Sequence, residues 1–274
     1  MPMCPATCRT GNSCPFKARP KFNGFCGIHK TQVEDFEEFL KDAEEQLFGP
    51  PPSALPLPLS LLPKRLRLLE LFCGTGSIGK VAKEFGFEVI SVDLNKKAKP
   101  TFCTDILQWE YKCYPVGYFD VIWASPPCDT FSILKSSWIG RELKRFPGQV
   151  YTRELMLREQ ESIGVPILNK TKEIIDYFKP KHYWIENPQT GRMKDYMTDY
   201  KHTDVCYCMY GFDYKKPTRI WHNKDKFEGK TCNHKGKHAR GIGNKNAKCV
   251  NTLNERYSIP PALVKDMFLC MGCN

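Results

Sequence analysis

From Leu66 onward the chain alternates short apolar strands with helical patterns, and this βαβ rhythm restricts it to a mostly parallel sheet wrapped by helices. Arg67 to Phe72 reads as a first strand and Ser77 to Phe85 as a helix. Glu88 to Val92 is a second strand ending at Asp93, and Phe102 to Thr104 a short third ending at Asp105. Asp120 to Ala124 is the fourth strand and His182 to Glu186 the fifth, with a long helical pattern from Arg153 to Phe178 interrupted near Gly164-Val-Pro166. The expected fold class is α/β, a doubly wound sheet whose core spans 65–200, with 201–274 as a further region. Ligands on such sheets bind beyond the carboxyl ends of the strands.

Residues 1–30 read as a separate module. Cys4, Cys14, Cys26 and His29 are its natural metal ligands, with Cys8 as a spare. A tetrahedral zinc site stabilises a segment too short to have its own core. Disulfides are the rival reading. The start, Met1-Pro-Met-Cys-Pro, lacks the apolar core of a signal peptide, and no apolar run approaches the ~18 residues of a membrane span. An intracellular location is therefore expected, where cysteines stay reduced or bind metal. The module also resembles short Cys/His modules in proteins of large DNA viruses. Residues 31–64 follow as an acidic amphipathic helix, with Val33, Phe36, Leu40, Ala43 and Leu47 on one face, and then a Pro-rich linker.

The formal charge is +11, which suggests a polyanionic partner, nucleic acid first. It is unevenly spread: residues 201–250 carry twelve basic and four acidic side chains, whereas 33–48 carry seven acidic and one basic.

Four strand ends carry chemistry. Phe72-Cys-Gly-Thr-Gly76 lies between the first strand and the first helix, where Gly74 and Gly76 let the backbone approach a ligand. Asp93 could accept from ribose hydroxyls and Asp105 from an adenine amino group, although each could equally cap a loop. A dinucleotide match survives formally through Gly79. The downstream Ser125-Pro-Pro-Cys128 turn makes S-adenosylmethionine the better ligand. Two prolines there present a thiol on a stiff turn after a buried strand, suited to nucleophilic attack, with a structural cysteine as the alternative.

Together these segments resemble the successive motifs of the DNA cytosine-5 methyltransferases. The resemblance rests on Phe72-Cys-Gly-Thr-Gly76, Ser125-Pro-Pro-Cys-Asp-Thr-Phe-Ser132 and Ile185-Glu-Asn-Pro188. Lys216-Pro-Thr-Arg-Ile-Trp221 is similar to the family's arginine motif, and Tyr257-Ser-Ile-Pro-Pro-Ala-Leu263 to its closing motif. It implies an S-adenosylmethionine-dependent methyltransferase fold and DNA as partner, with RNA as the alternative; no membrane partner is expected, because no apolar run is long enough to span one. It also implies that Phe72, Gly74, Gly76, Asp93, Asp105 and Pro126 line the cofactor site. Cys128 would attack C6 of cytosine, Glu186 would contact N3 and the exocyclic amine, and Arg219 would hold O2 and steady Glu186. Asn187 would fix the strand end that aims Glu186. Residues 132–147, with Lys135, Arg141, Lys144 and Arg145, are expected to close over a flipped base. A tRNA methyltransferase of the same fold and a non-catalytic nucleic-acid-binding protein are the alternatives.

The sequence departs from the family at Asp129, Pro188 and Pro217, where glutamine, valine and arginine are usual. Only residues 220–256 separate Arg219 from the closing motif, so the recognition region is reduced. It contains Cys232, His234, His238 and Cys249, which could hold a second metal with help from Cys270 and Cys273, a solvated polar loop being the default reading.

Overall fold

The computed structural model describes residues 65–143, 146–233, 238, 241–242, 249–250 and 252–273. The N-terminal zinc module, the acidic helix and the Pro-rich linker expected from sequence lie outside the described residues. The chain divides into two units: residues 1–65 with Glu110–Pro115, and Leu66–Trp109 with Val116–Asn274. In the first, a 3-10 turn at Tyr111–Cys113 is described. The site lies in the second.

That unit is built on a seven-stranded sheet. Its strands are β1 (Arg67–Leu71), β2 (Glu88–Asp93), β3 (Phe102–Cys103), β4 (Val121–Ala124), β7 (His182–Pro188), β8 (His202–Cys206) and β9 (Pro217–His222). Their order is β3-β2-β1-β4-β7-β9-β8, and β9 runs antiparallel to both of its neighbours. A two-stranded antiparallel pair, β5 (Glu142–Leu143) and β6 (Phe146–Val150), stands apart, as does the short ladder of β10 (Gly241–Ile242) and β11 (Cys249–Val250). The sheet therefore crosses the boundary drawn at residue 200, because β8 and β9 complete it.

Every residue of β4 is buried, as are Leu68, Leu69 and Leu71 of β1, the near-continuous apolar pattern of strands covered on both faces. Helices α1 (Ser77–Glu84) and α5 (Pro261–Cys270) pack one cluster, in which Ile78, Val81, Leu263 and Phe268 join Leu68, Trp123, Trp184 and Ile220. The long helical pattern is two helices, α2 (Arg153–Glu159) and α3 (Val165–Phe178), joined by a π-turn over Gln160–Gly164. The interruption falls where the sequence places it, because Pro166 at the start of α3 has no backbone N–H to continue the ladder. Helix α3 buries Leu168, Ile174, Ile175 and Phe178, the last meeting Phe119 edge-on at 4.9 Å. A short helix, α4 (Leu253–Tyr257), opens with a capping box between Thr252 and Glu255. Among the described residues, no helix is long and apolar enough to cross a membrane.

Candidate active site

The carboxyl end of β1 turns sharply. Phe72, Gly74 and Gly76 all have left-handed backbones, with φ of 59°, 48° and 65°. A Cβ built at Gly76 would meet nothing within 4 Å, so backbone conformation, not crowding, selects glycine and the loop stays open on that side. Phe72 carries the same conformation with a side chain, a strain of about 1–3 kcal/mol of the kind that concentrates at functional loops. Gly76 gives α1 no side-chain cap. Glu70, buried on β1, supplies the acceptor instead, taking the N–H groups of Ile78 (3.3 Å) and Gly79 (3.1 Å). Burial pushes its carboxyl up to about 7, against the lowering effect of those two bonds.

Asp93 accepts the N–H of Gly74 at 2.8 Å and that of Asn95 at 2.7 Å. Asp105 caps its own 3-10 turn through the N–H of Leu107 at 3.0 Å. Both thus hold local backbone, and both stand where β2 and β3 end. The closing motif returns to this loop: Ile259 N–H donates to Ser77 Oγ at 3.2 Å, and Ser77 Oγ lies 2.7 Å from Thr75 Oγ1. A cleft of about 630 Å³ opens between α1, residues 211–214 and the closing motif, lined by Ser77, Phe212, Tyr214, Ser258 and Ile259. Neither Cys128 nor Glu186 lines it.

The thiol turn follows β4. Trp123 Nε1 donates to Ser125 Oγ at 2.8 Å, and Phe131 and Ser132 N–H groups close on the carbonyls of Cys128 and Asp129 at 3.2 Å each. Asn187 of β7 reaches across and donates through Nδ2 to the carbonyl of Pro126 at 2.9 Å. Next to it, Glu186 is 7% exposed and accepts from Tyr207 Oη at 3.2 Å. Burial pushes the Cys128 thiol up to about 11; the Glu186 and Asp129 charges push the same way, and Lys216 opposes them.

Cys128 and Glu186 are brought together; Arg219 is not brought to Glu186. In the register of β7 with β9, Arg219 stands opposite Asn187 and Glu186 opposite Ile220, so the two side chains leave opposite faces of the sheet. Arg219 instead forms a two-pronged ion pair with Asp204 of β8, Nε to Oδ1 at 2.7 Å and Nη2 to Oδ2 at 2.8 Å. Gln189 also donates to Asp204, at 2.8 Å. These bonds hold the Asp204 carboxyl below its ordinary range.

Sequence reasoning missed two residues at the site. Lys216 is the cation whose charge reaches Cys128; its Nζ bonds the Arg256 carbonyl at 2.7 Å and lies 4.7 Å from the Tyr207 ring centre. It opens the quoted arginine motif, so its position was visible although its role was not. Tyr207 carries no local signal, since only the β7–β9–β8 pairing brings it to Glu186. The expected closing loop is also more structured than its sequence suggests. Ile133–Trp138 is a 3-10 helix, β5 and β6 form a hairpin, and Lys135 is ion-paired with Glu159 at 2.7 Å. Arg141 is exposed, while Lys144 and Arg145 lie outside the described residues.

No family model matches the sequence. A curated relative, "Probable DNA (cytosine-5)-methyltransferase" of Frog virus 3 (isolate Goorha), is 37% identical over 75% of this chain and 100% of its own length. The chain is also similar to solved structures. A mutant form of Spodoptera frugiperda DNMT2 shares 16% identity at a TM-score of 0.38, covering 60% of this chain and 55% of that one. S. pombe Dnmt2 shares 16% at 0.39 (60% and 53%), and Entamoeba histolytica EhMeth 14% at 0.41 (64% and 58%). The chain thus matches just over half the length of each solved structure.

Proposed function

Because the chain belongs to the cytosine-5 methyltransferase family, we propose that it transfers a methyl group from S-adenosylmethionine to C5 of cytosine in DNA, with Cys128 as nucleophile. The observation that carries this reading is the pairing of Cys128 and Glu186: the Asn187–Pro126 bond ties their two strand ends together, and Glu186 is the charged group that acts most strongly on the thiol.

The loop fits the cofactor. The open side of Gly76 and the two aspartates at the ends of β2 and β3 suit a ligand with a ribose and an adenine. Phe72, Gly74, Gly76, Asp93, Asp105 and Pro126 would hold it. S-adenosylmethionine, when bound, supplies an electrophilic methyl group. The chain's own residues do the rest. Cytosine C5 is too weak a nucleophile until a thiolate adds to C6. As the Cys128 Sγ–C6 bond forms, the thiol proton passes to solvent and the C5–C6 π pair shifts toward C5. Glu186, fixed by Tyr207, contacts N3 and the exocyclic amine and, as a carboxylic acid, gives N3 a proton as charge builds up there. Once C5 is methylated, a base takes its original proton, the C5–C6 double bond re-forms and the Sγ–C6 bond breaks to release the thiolate. In a duplex C6 is inaccessible, so the target base must leave the stack. Arg219 is best read as a clamp on β8 through Asp204, with Lys216 as the cation of the site.

A second substrate, RNA, is favoured by one observation: only residues 223–256 lie between β9 and the closing motif, too few for a large duplex-reading domain. One experiment decides between the readings. The protein is incubated with methyl-labelled cofactor and either duplex DNA or tRNA, and label in 5-methylcytosine is compared with that given by Cys128→Ala. Label in DNA that the variant does not produce is the expected result. Label in tRNA alone would overturn the DNA assignment, equal labelling by the variant would overturn the nucleophile, and no label in either would favour a binding protein.

A further inference from the structure

A cluster of thiols lies outside the Cys128 site. β8 ends at Cys206, and Cys208 follows in the 3-10 turn Tyr207–Tyr210, with the two Sγ atoms 3.3 Å apart. The chain returns to this point after β9 and runs against the outer strand of the sheet. Cys206 N–H donates to the Lys230 carbonyl at 2.9 Å, Thr203 Oγ1 to the Phe227 carbonyl at 3.1 Å, and Lys230 N–H to Tyr210 Oη at 3.0 Å. The approach is tight enough that a Cβ at Gly229 would collide with the carbonyl of Asp204 and the side chain of Thr203. Cys232 is thereby delivered to the other two, all three Sγ atoms lying within 4.8 Å of one another. His238 Nε2 stands 3.4 Å from Cys232 Sγ.

We propose that Cys206, Cys208, Cys232 and His238 form a structural zinc site that clips the segment after β9 onto the edge of the sheet. Three sulfurs and one imidazole are a closed tetrahedral donor set, and thiolates select zinc over hard cations such as magnesium or calcium. Zn–S bonds of about 2.3 Å place tetrahedral sulfurs roughly 3.8 Å apart. The Cys206–Cys208 separation of 3.3 Å is shorter than that and the other sulfur pairs lie within 4.8 Å, so a metal would be accepted by side-chain adjustment, with His238, 3.4 Å from Cys232 Sγ, turning in as the fourth ligand. The 3.3 Å between Cys206 and Cys208 is far longer than a disulfide bond of about 2.05 Å.

The site differs from the grouping suggested by sequence. Cys232 and His238 remain, and Cys206 and Cys208 join them from β8 and its turn. Cys270 and Cys273 pack against the hydrophobic core instead. His234 lies outside the described residues, and only the backbone of Cys249 is described. Two consequences follow from position. Tyr207, whose hydroxyl holds Glu186, sits between two of the ligands, so the metal would anchor the turn that aims it. In the sequence Cys232 and His238 bracket Lys235 and Lys237 and precede Arg240, Lys245 and Lys248, so the metal would also hold Cys232, where this basic segment begins, against β8.

The test separates this site from the N-terminal module and does not rely on enzymatic activity. In the full chain, Cys4, Cys14 and Cys26 are changed to Ser and His29 to Ala. This background is expected to retain one equivalent of zinc, and after exchange with cobalt to show tetrahedral d–d bands and thiolate-to-cobalt charge transfer. Adding Cys208→Ser or Cys232→Ser should remove that equivalent. Absence of metal from the background chain overturns the proposal even if the further variants fail to fold. So does a cobalt spectrum that neither further substitution changes.

Discussion

Asn187 Nδ2 donates to the carbonyl of Pro126 across 2.9 Å, joining the end of β7 to the turn that carries Cys128. The bond is buried and links residues far apart in sequence, so the position of Cys128 relative to Glu186 depends on the Asn187 side chain. Asn187 Oδ1 is buried with no hydrogen-bond partner among the described residues, so the amide is held from one side only.

Asn187→Ala should therefore lower kcat by about tenfold to a hundredfold, the equivalent of losing a buried bond of about 1–3 kcal/mol and the alignment it maintains. Steady-state kinetics beside a thermal melt checks this. A kcat that falls only in proportion to the folded fraction would reduce Asn187 to a stability residue.

The Cys128 thiol, pushed up to about 11 by burial and then by Glu186, should alkylate ever faster as pH rises past the ordinary value of 9.0. Its neutral form is the one the fold favours, so the linked stability is present below the ordinary value and is lost as pH rises through the folded one. Glu186→Gln removes a negative neighbour, so the alkylation profile should shift to lower pH while methyl transfer collapses. Iodoacetamide labelling of the Cys128 peptide, read by mass spectrometry, measures the first effect. Superimposable profiles for wild type and variant would remove Glu186 from the thiol's surroundings.

Tyr207→Phe removes the hydroxyl that bonds Glu186 Oε1 but keeps the buried ring. Activity should drop by about tenfold, in line with one lost hydrogen bond to a charged group. Pairing this change with Glu186→Gln in a double-mutant cycle tests the contact: strictly additive effects would mean that the hydroxyl and the carboxylate do not act together.

Arg219 and Asp204 should behave as a structural pair. Asp204→Asn or Arg219→Ala is expected to destabilise by about 1–2 kcal/mol, a figure reduced for the pair's partial exposure to solvent. Because Arg219 lowers the Asp204 pKa, this stability is present above the ordinary value of 3.8 and lost as pH falls through the lower folded value. Melting temperature against pH should flatten at the acid end in Asp204→Asn. An Arg219→Ala chain that melts like wild type yet loses activity would return Arg219 to the catalytic role its motif suggested.

Features that depend on neighbours along the chain were legible before any fold was known. The alternation of strands and helices, the positive-φ turn at Gly74 and Gly76, and the Pro-Pro-Cys turn are local, and each stands where its residues predict. So does the break before α3, because a missing N–H at Pro166 acts within one helical turn. How distant segments share faces emerged from the folded sheet. The arginine motif was legible, but its register against β7 was not, and a shift of one residue exchanges the two faces of a strand. That register sends Arg219 to Asp204, leaves the cationic place near Cys128 to Lys216, and brings Tyr207 to Glu186. The same edge strand gathers Cys206, Cys208 and Cys232, thiols that no spacing rule groups together because the contacts of the segment after β9 bring them there.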